Sequence, residues 1–144
     1  MGEKSEQTVY LSGSINGHIT ARYPTTWRGY AQERLEAVGY TVLDPMRGRK
    51  FEVAGLSEEQ IEEIIVRDIN DIHQSDIVLV EMDCPGMPYI GTAMEIRHAY
   101  VWCKEILVWG EANRGSIWLQ YHTDRRFGAL DDALEYLIAL REAE

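Results

Sequence analysis

Apolar positions along the chain follow two periods in turn, and this alternation predicts a sheet whose strands are separated by helices. Short apolar runs predict strands over 8–11, 40–43, 76–82 and 105–109, with a brief edge strand near 126–127. Helical spacing predicts helices over about 26–38, 57–73, a stretch around Glu95 that ends near 102, 116–121 and 130–140. This order of elements is typical of a parallel sheet with helices on both faces.

Local signals support this α/β interpretation. Ser57 and Gln60 have the spacing of a capping box, and Gly39 is a helix stop. The run from 76 to 82 is apolar almost throughout, as expected for a strand that is covered on both faces. We therefore expect a flavodoxin-like, doubly wound sheet of about five parallel strands, with residues 1–144 forming one domain.

Composition narrows the possible partners. The chain has 14 Lys and Arg against 24 Asp and Glu, a formal net charge of −10, which disfavours binding to a nucleic acid. No apolar run approaches the roughly 20 residues of a membrane span. The polar N-terminus has no signal-peptide core, so we expect a cytoplasmic protein without a membrane partner. The cysteines and histidines show no zinc spacing, and no metal site is predicted.

The segment from 75 to 100 carries the clearest chemical signal. It predicts a buried strand, a Pro/Gly loop and a helix with Glu95 in its opening turns, at the sheet edge where open α/β folds bind ligands. An acidic residue early in a helix is also favoured by the macrodipole alone, as a solvated side chain. Because most of this helix is apolar, we favour a buried Glu95 that the dipole keeps ionised, as a nucleophile must be.

A second carboxylate falls where the pattern expects an apolar residue. Asp68 lies in the middle of a helical stripe that is predicted to be buried, formed by Ile61, Ile64, Ile65, Ile69 and Ile72. Burial of an unpaired carboxylate costs several kcal/mol. Asp68 is therefore either a structural group, bonded to a loop or to Arg67 or Arg97, or an acid/base group with a raised pKa. Asp71 falls at the edge of the stripe, where we expect it to be solvated.

Other candidates carry weaker signals. Tyr10 ends the first strand and either packs in the core or points its hydroxyl into the same crevice. The loop from 12 to 17 is typical of a turn of exposed amides that holds a phosphate or hydroxyl. Trp27 beside it fits the core better than a stacking platform, and Arg47 belongs to a small basic patch that is either solvated or placed at a substrate's polar edge. The absence of a Gly-x-Ser-x-Gly elbow and of a P-loop excludes serine hydrolase and NTPase readings.

Several segments together resemble the nucleoside 2-deoxyribosyltransferase family, in the family's order and spacing over most of the chain. They are Val9-Tyr-Leu-Ser-Gly-Ser14, Leu43-Asp-Pro45, Arg67-Asp-Ile-Asn-Asp71 with Asp76, and Gly91-Thr-Ala-Met-Glu-Ile96. The resemblance implies a flavodoxin-like fold and a double displacement. Glu95 matches the nucleophile that attacks C1′ of a 2′-deoxynucleoside, Asp68 the acid that protonates the departing base and deprotonates the incoming one, and Tyr10 the tyrosine that orients the nucleophile.

The resemblance also implies partners and a binding site. It implies that the partners are deoxynucleosides and free nucleobases, that no cofactor is needed, and that the chain forms a homo-oligomer, a dimer or larger. The expected substrate-binding residues are Ser12, Gly13, Ser14, Ile15, Trp27, Asp44, Pro45, Arg47, Tyr89, Gly91 and Met94. Tyr89 stands where some members have a second acid or a serine, six residues before the nucleophile, so base preference stays open.

Two alternatives to the transferase remain. A related hydrolase class, the 2′-deoxynucleoside 5′-monophosphate N-glycosidases, has a similar loop after the first strand, but an arginine there would favour it and this chain has Asn16. The other alternative is a non-catalytic module that senses nucleotides. This hypothesis stays open because a fold alone does not establish catalytic activity.

Overall fold

Five parallel strands form one sheet in the part of the chain that the computed structural model describes, residues 6–14, 26–48 and 55–144. The strands are β1 Thr8–Ser12, β2 Thr41–Leu43, β3 Ile77–Glu81, β4 Glu105–Trp109 and β5 Arg125–Phe127. The helices are α1 Trp27–Glu36, α2 Glu58–Gln74, α3 Ile90–Val101, α4 Ile117–His122 and α5 Leu130–Glu142. The predicted order of strands and helices is confirmed, with bounds that differ by one or two residues. None of the helices described is long and apolar enough to cross a membrane.

The strand order is β2-β1-β3-β4-β5, and every neighbouring pair is parallel. This is the order of a flavodoxin-like sheet, so the predicted fold class is confirmed. The order reverses at β1, which pairs with β2 on one side and β3 on the other. Ligands of open α/β sheets bind beyond the carboxyl ends of the strands at such a reversal. The fold therefore predicts a ligand-binding site at the carboxyl ends of β1 and β3.

The core lies in two layers, one on each face of the sheet. Side chains alternate along a strand, so Ile77 and Leu79 of β3 join one layer while Val78 and Val80 join the other. All four are nearly inaccessible to solvent, which explains why this strand has an almost continuous apolar sequence.

Helix α2 departs from the prediction in its first half. The capping box of Ser57 and Gln60 is present, but Ile61 and Ile65 are about half exposed, at 48% and 50%. A helix of 17 residues is about 25 Å long, whereas a five-residue strand spans about 17 Å. The first half of α2 therefore extends beyond the carboxyl edge of the sheet, where no strand covers it. Only Ile72, near its end, is fully buried as expected.

The two aspartates of α2 also differ from expectation. Asp71 was expected to be solvated, but it is 7% exposed and forms an ion pair with Arg47, with 2.8 Å between Arg47 Nη1 and Asp71 Oδ2. Asp68 is only partly buried. The ion pair with Arg47 accounts for the low exposure of Asp71.

Gly110, which directly follows β4 at the carboxyl edge of the sheet, gives a test of the packing there. Gly110 has a φ of +108°, and a Cβ added there would lie 2.4 Å from the carbonyl oxygen of Met82. We expect Gly110→Ala to lower the free energy of unfolding by about 2–4 kcal/mol, because both the backbone and the neighbour resist the methyl group. Urea denaturation measures the change. Gly115→Ala is the matched control, with nothing within 4 Å of the added Cβ, and an equal loss in both variants would contradict this account.

Candidate functional site

A cavity of about 460 Å³ opens at the carboxyl edge of the sheet, between the loop after β1, helix α2 and the start of α3. Its apolar walls come from both helices and the loops, and they include Met46, Ile64, Ile65, Ile69, Met87, Pro88, Ile90 and Met94. Among the described residues that line it are the ionisable side chains of Arg28, Asp68, Tyr89, Glu95 and His98. The two carboxylates that the sequence singled out therefore share one cavity.

Glu95 is held by two hydroxyl groups of β1. Ser12 Oγ donates a hydrogen bond of 2.8 Å to Glu95 Oε1, and Tyr10 Oη donates to Glu95 Oε2. Residues 10 and 12 project from the same face of the strand, because side chains alternate along it. Glu95 lies in the second turn of α3 and meets both at the strand's carboxyl end. One strand thus fixes both oxygens of this carboxylate.

Burial governs the charge of Glu95. Removal from solvent raises its pKa to about 7, and the negative charge of Asp68 acts in the same direction. The hydrogen bonds from Tyr10 and Ser12 and the charge of Arg28 lower the pKa without offsetting burial. The surroundings of Glu95 therefore do not favour the ionised form that was expected, because burial raises its pKa well above that of an ordinary carboxyl group.

Tyr10 acts as a donor at any ordinary pH. Its ring is fully buried, and burial raises the pKa of its hydroxyl far above the usual value, assisted by the charges of Glu95 and Asp68. Asp68 is close enough to oppose ionisation of both groups. The arginines suggested as its structural partners have other partners, since Arg67 donates to the carbonyl of Arg47 and Arg97 contacts His122.

Arg28 is a buried arginine that holds the loop after β1 in place. It was not identified from the sequence. Arg28 is 3% exposed and donates from Nη1 to the carbonyl of Ser14 (3.1 Å) and from Nη2 to that of Gly13 (3.0 Å). Its Nε lies 3.7 Å from Asp44 Oδ1. A cation in the first turn of a helix opposes the macrodipole. That unfavourable position was the available signal that Arg28 has a specific partner.

Two solved structures of 2-deoxyribosyltransferases are similar to this chain in fold. A 2-deoxyribosyltransferase from the psychrotolerant bacterium Bacillus psychrosaccharolyticus superposes with a TM-score of 0.69 at 20% identity, over 93% of this chain and 95% of that one. A 2-deoxyribosyltransferase from Leishmania mexicana gives 0.60 at 16% identity, over 92% and 97%. The chain has the fold of the 2-deoxyribosyltransferases.

An N-glycosidase is also similar to this chain in fold. A CMP N-glycosidase from Clostridium botulinum superposes with a TM-score of 0.55 at 19% identity, over 96% of this chain and all of that one. No protein-family model and no curated protein sequence matches the chain.

Most of the predicted binding residues line the cavity described above. They are Gly13, Ser14, Pro45, Tyr89, Gly91 and Met94. Ser12 reaches the site through its bond to Glu95, and Ile15 lies outside the described residues. Within the residues described, no group of three or more His, Cys, Asp or Glu side chains could hold a metal ion.

Besides Ser12, three predicted binding residues within the described part of the chain are not in the cavity wall. Trp27 is fully buried and packs edge-on against Trp109, with ring centroids 5.5 Å apart, so it belongs to the core. Asp44 accepts from the backbone N–H of Met46 and faces Arg28. Arg47 turns to Asp71. These side chains form the support of the site rather than its surface.

The buried charge of Glu95 predicts a pH-dependent stability. Between the unperturbed pKa of 4.5 and the folded value of about 7, the folded state binds more protons than the unfolded one, so stability falls as pH rises through this window. Glu95→Gln removes the cost of the ionised form. We expect it to raise the free energy of unfolding by on the order of 2 kcal/mol at pH 8 and to have little effect at pH 4.5.

Urea denaturation of both proteins at the two pH values measures this difference. Glu33→Gln, on the exposed side of α1, controls for loss of one surface charge. A gain for Glu95→Gln that is the same at both pH values would contradict the assignment of a destabilising ionised Glu95.

Proposed function

We propose that this protein is a nucleoside 2-deoxyribosyltransferase, a member of that enzyme family that moves 2-deoxyribose between nucleobases in cytoplasmic nucleoside salvage. The observation that carries the proposal is the contact of Glu95 with Tyr10 and Ser12 in a cavity that also contains Asp68. The fold and the sequence resemblance support it, because both point to the same residues at the same edge of the sheet.

The first half of the reaction breaks the N-glycosidic bond. The ionised Glu95 attacks C1′ of the deoxynucleoside, and the electron pair of the breaking bond leaves with the base. Asp68 donates a proton to the base as it departs. The product is an ester between the deoxyribose C1′ and Glu95. The apolar walls from α2 and α3 suit a planar base on the side of Asp68.

The second half of the reaction reverses these steps with a new base. A ring nitrogen of the incoming base attacks C1′, Asp68 takes its proton, and the ester bond breaks to restore the Glu95 carboxylate. Two inversions at C1′ retain the configuration, as in retaining glycosidases. Tyr10 and Ser12 hold the carboxylate in line for attack and stabilise its charge when it leaves. The protein's own groups supply all of these steps, and no cofactor is needed.

Hydrolysis is the second candidate, and the CMP N-glycosidase fold of the Clostridium botulinum enzyme favours it. In a hydrolase, water in place of a base attacks the ester. The discriminating assay supplies deoxyinosine with and without adenine. Deoxyadenosine that forms only when adenine is present supports transfer, base release from a 5′-monophosphate without an acceptor supports hydrolysis, and binding without turnover contradicts both.

We also propose that the protein forms a homo-oligomer. Helices α3 and α4 present a group of large apolar side chains that are at least 64% exposed, formed by Ile90, Met94, Ile117, Trp118 and Tyr121. A groove of about 700 Å³ runs beside them, between the two helices. Apolar surface of this kind is typical of an interface between subunits, and Met94 places it next to the cavity.

Substitution of the two carboxylates tests the chemistry. We expect Glu95→Ala to lower transfer by about three orders of magnitude or more, because the ester cannot form. Asp68→Asn should lower it by about 10²–10⁴-fold, because no group protonates the leaving base. Chromatography of deoxyadenosine measures turnover, and mass spectrometry of acid-quenched parent enzyme detects a deoxyribosylated peptide containing Glu95. Asp132→Asn, exposed on α5, is the control, and parental turnover in either site variant refutes that residue's role.

The pH profile gives a separate test. Activity should fall as pH drops through about 7, because protonated Glu95 is not a nucleophile. The groups that face it are Tyr10 on β1, Asp68 on α2, Arg28 on α1, and His98 on its own helix. Tyr10→Phe should move this limb to higher pH, since the lost hydrogen bond favours the ionised form. A limb that stays in place contradicts the role of Tyr10 in setting the charge of Glu95.

A further inference from the structure

Glu81 is a buried carboxylate outside the reaction chemistry. It ends β3 with no exposed surface. Its Oε1 accepts from the backbone N–H of Ser14 (3.1 Å), and its Oε2 accepts from the backbone N–H of Asp83 (2.7 Å) and from the hydroxyl of Tyr89. A buried carboxylate that accepts from several donors holds the segments that carry them. An acid that closes an otherwise apolar strand was its only signal in the sequence.

We propose that Glu81 is a positioning residue that holds the loop after β1 and the start of α3 in register, so that Ser12 and Glu95 meet. This inference rests on the proposed function for its meaning in catalysis. The two segments it joins contribute the hydroxyl and the carboxylate of the site, and they are 83 positions apart in the chain.

Two charged residues, Glu81 and Arg28, bond to the backbone of the loop after β1. Glu81 accepts from the N–H of Ser14, while Arg28 donates to the carbonyls of Gly13 and Ser14. A Cβ at Gly13 would lie 2.8 Å from the Cβ of Glu81, so the loop backbone lies directly against the carboxylate's side chain. Ser12 precedes this segment, and its hydroxyl donates to Glu95. Its position is therefore set by Glu81 and Arg28 together.

The start of α3 is tied to the same carboxylate. Tyr89 lies just before the helix, in the left-handed region with a φ of 51°, and no side chain caps the helix N-terminus. Its hydroxyl donates to Glu81 and accepts from the N–H of Cys84, while its carbonyl accepts from Ala93. The ring of Tyr89 thus links Glu81 to the first turn of the helix that carries Glu95. Relaxation of this link would let α3 shift relative to β1.

Glu81→Gln is the direct test, because it keeps the size of the side chain and replaces one acceptor oxygen by an NH₂ donor that faces a donor. We expect kcat to fall by about 10–100-fold, with KM changed by less than about threefold, since misplacement of reacting groups affects the chemical step. The pKa of Glu95, measured by ¹³C NMR of its labelled carboxyl carbon, should rise because the bond from Ser12 weakens.

Two further variants separate positioning from a general loss of stability. Tyr89→Phe should move kcat and the Glu95 pKa in the same direction by less, since it removes the hydroxyl donor and leaves the backbone donors of Ser14 and Asp83 in place. Ser12→Ala should raise the Glu95 pKa in the parent but have a smaller effect in the Glu81→Gln background, because the same contact is already weakened. Glu105→Gln, a partly buried glutamate at the opposite end of the neighbouring strand, is the matched control and should change neither quantity.

The outcomes distinguish this inference from the proposed function. A folded Glu81→Gln protein with the parental Glu95 pKa and kcat overturns the positioning role. Should Glu81→Gln fail to fold, Tyr89→Phe decides, and parental values there overturn the role equally. If the parent enzyme shows no turnover, the proposed function fails, while the NMR titrations still establish whether Glu81 controls the contact between Ser12 and Glu95.

Discussion

The bond between one strand and one helix determines the site of this protein. Tyr10 and Ser12 on β1 donate to both oxygens of Glu95 on α3, in surroundings where burial opposes a charge on that carboxylate. The hydroxyls reduce the cost of ionisation without removing it, so the pKa of this carboxyl group stays raised. The cavity, the loop after β1 and the charged side chains of Arg28 and Glu81 all lie near this carboxylate.

The support of the site is polar and buried, which is unusual so close to two apolar layers. Arg28 and Glu81 carry opposite charges and both bond to the backbone of the loop after β1. Rigid backbone held by charged groups keeps a reactive side chain in place better than packing alone, because hydrogen bonds fix direction as well as distance.

The sequence predicted the architecture well because the fold depends on periodicity, which is local. Glu95 and Asp68 were found because a carboxylate within an apolar pattern is visible from its neighbours in the chain. The interpretation failed where the outcome depends on how far an element extends. The exposure of Ile61 follows from the overhang of α2, and the burial of Asp71 follows from its ion pair with Arg47. No local pattern encodes either of them. Arg28 was missed because two of its partners are backbone carbonyls, and because its unfavourable place in the first turn of a helix was the only signal in the sequence.

The chain distance between the groups of the site has a kinetic consequence. Tyr10 and Glu95 are separated by 85 positions, and the strands that carry the first and support the second must pair before the two can touch. Contacts of such long range form late, because the intervening loop must close first. A nascent or partly refolded molecule can therefore contain its helices and still lack the contact of Tyr10 with Glu95, because that contact requires the pairing of β1 with β3.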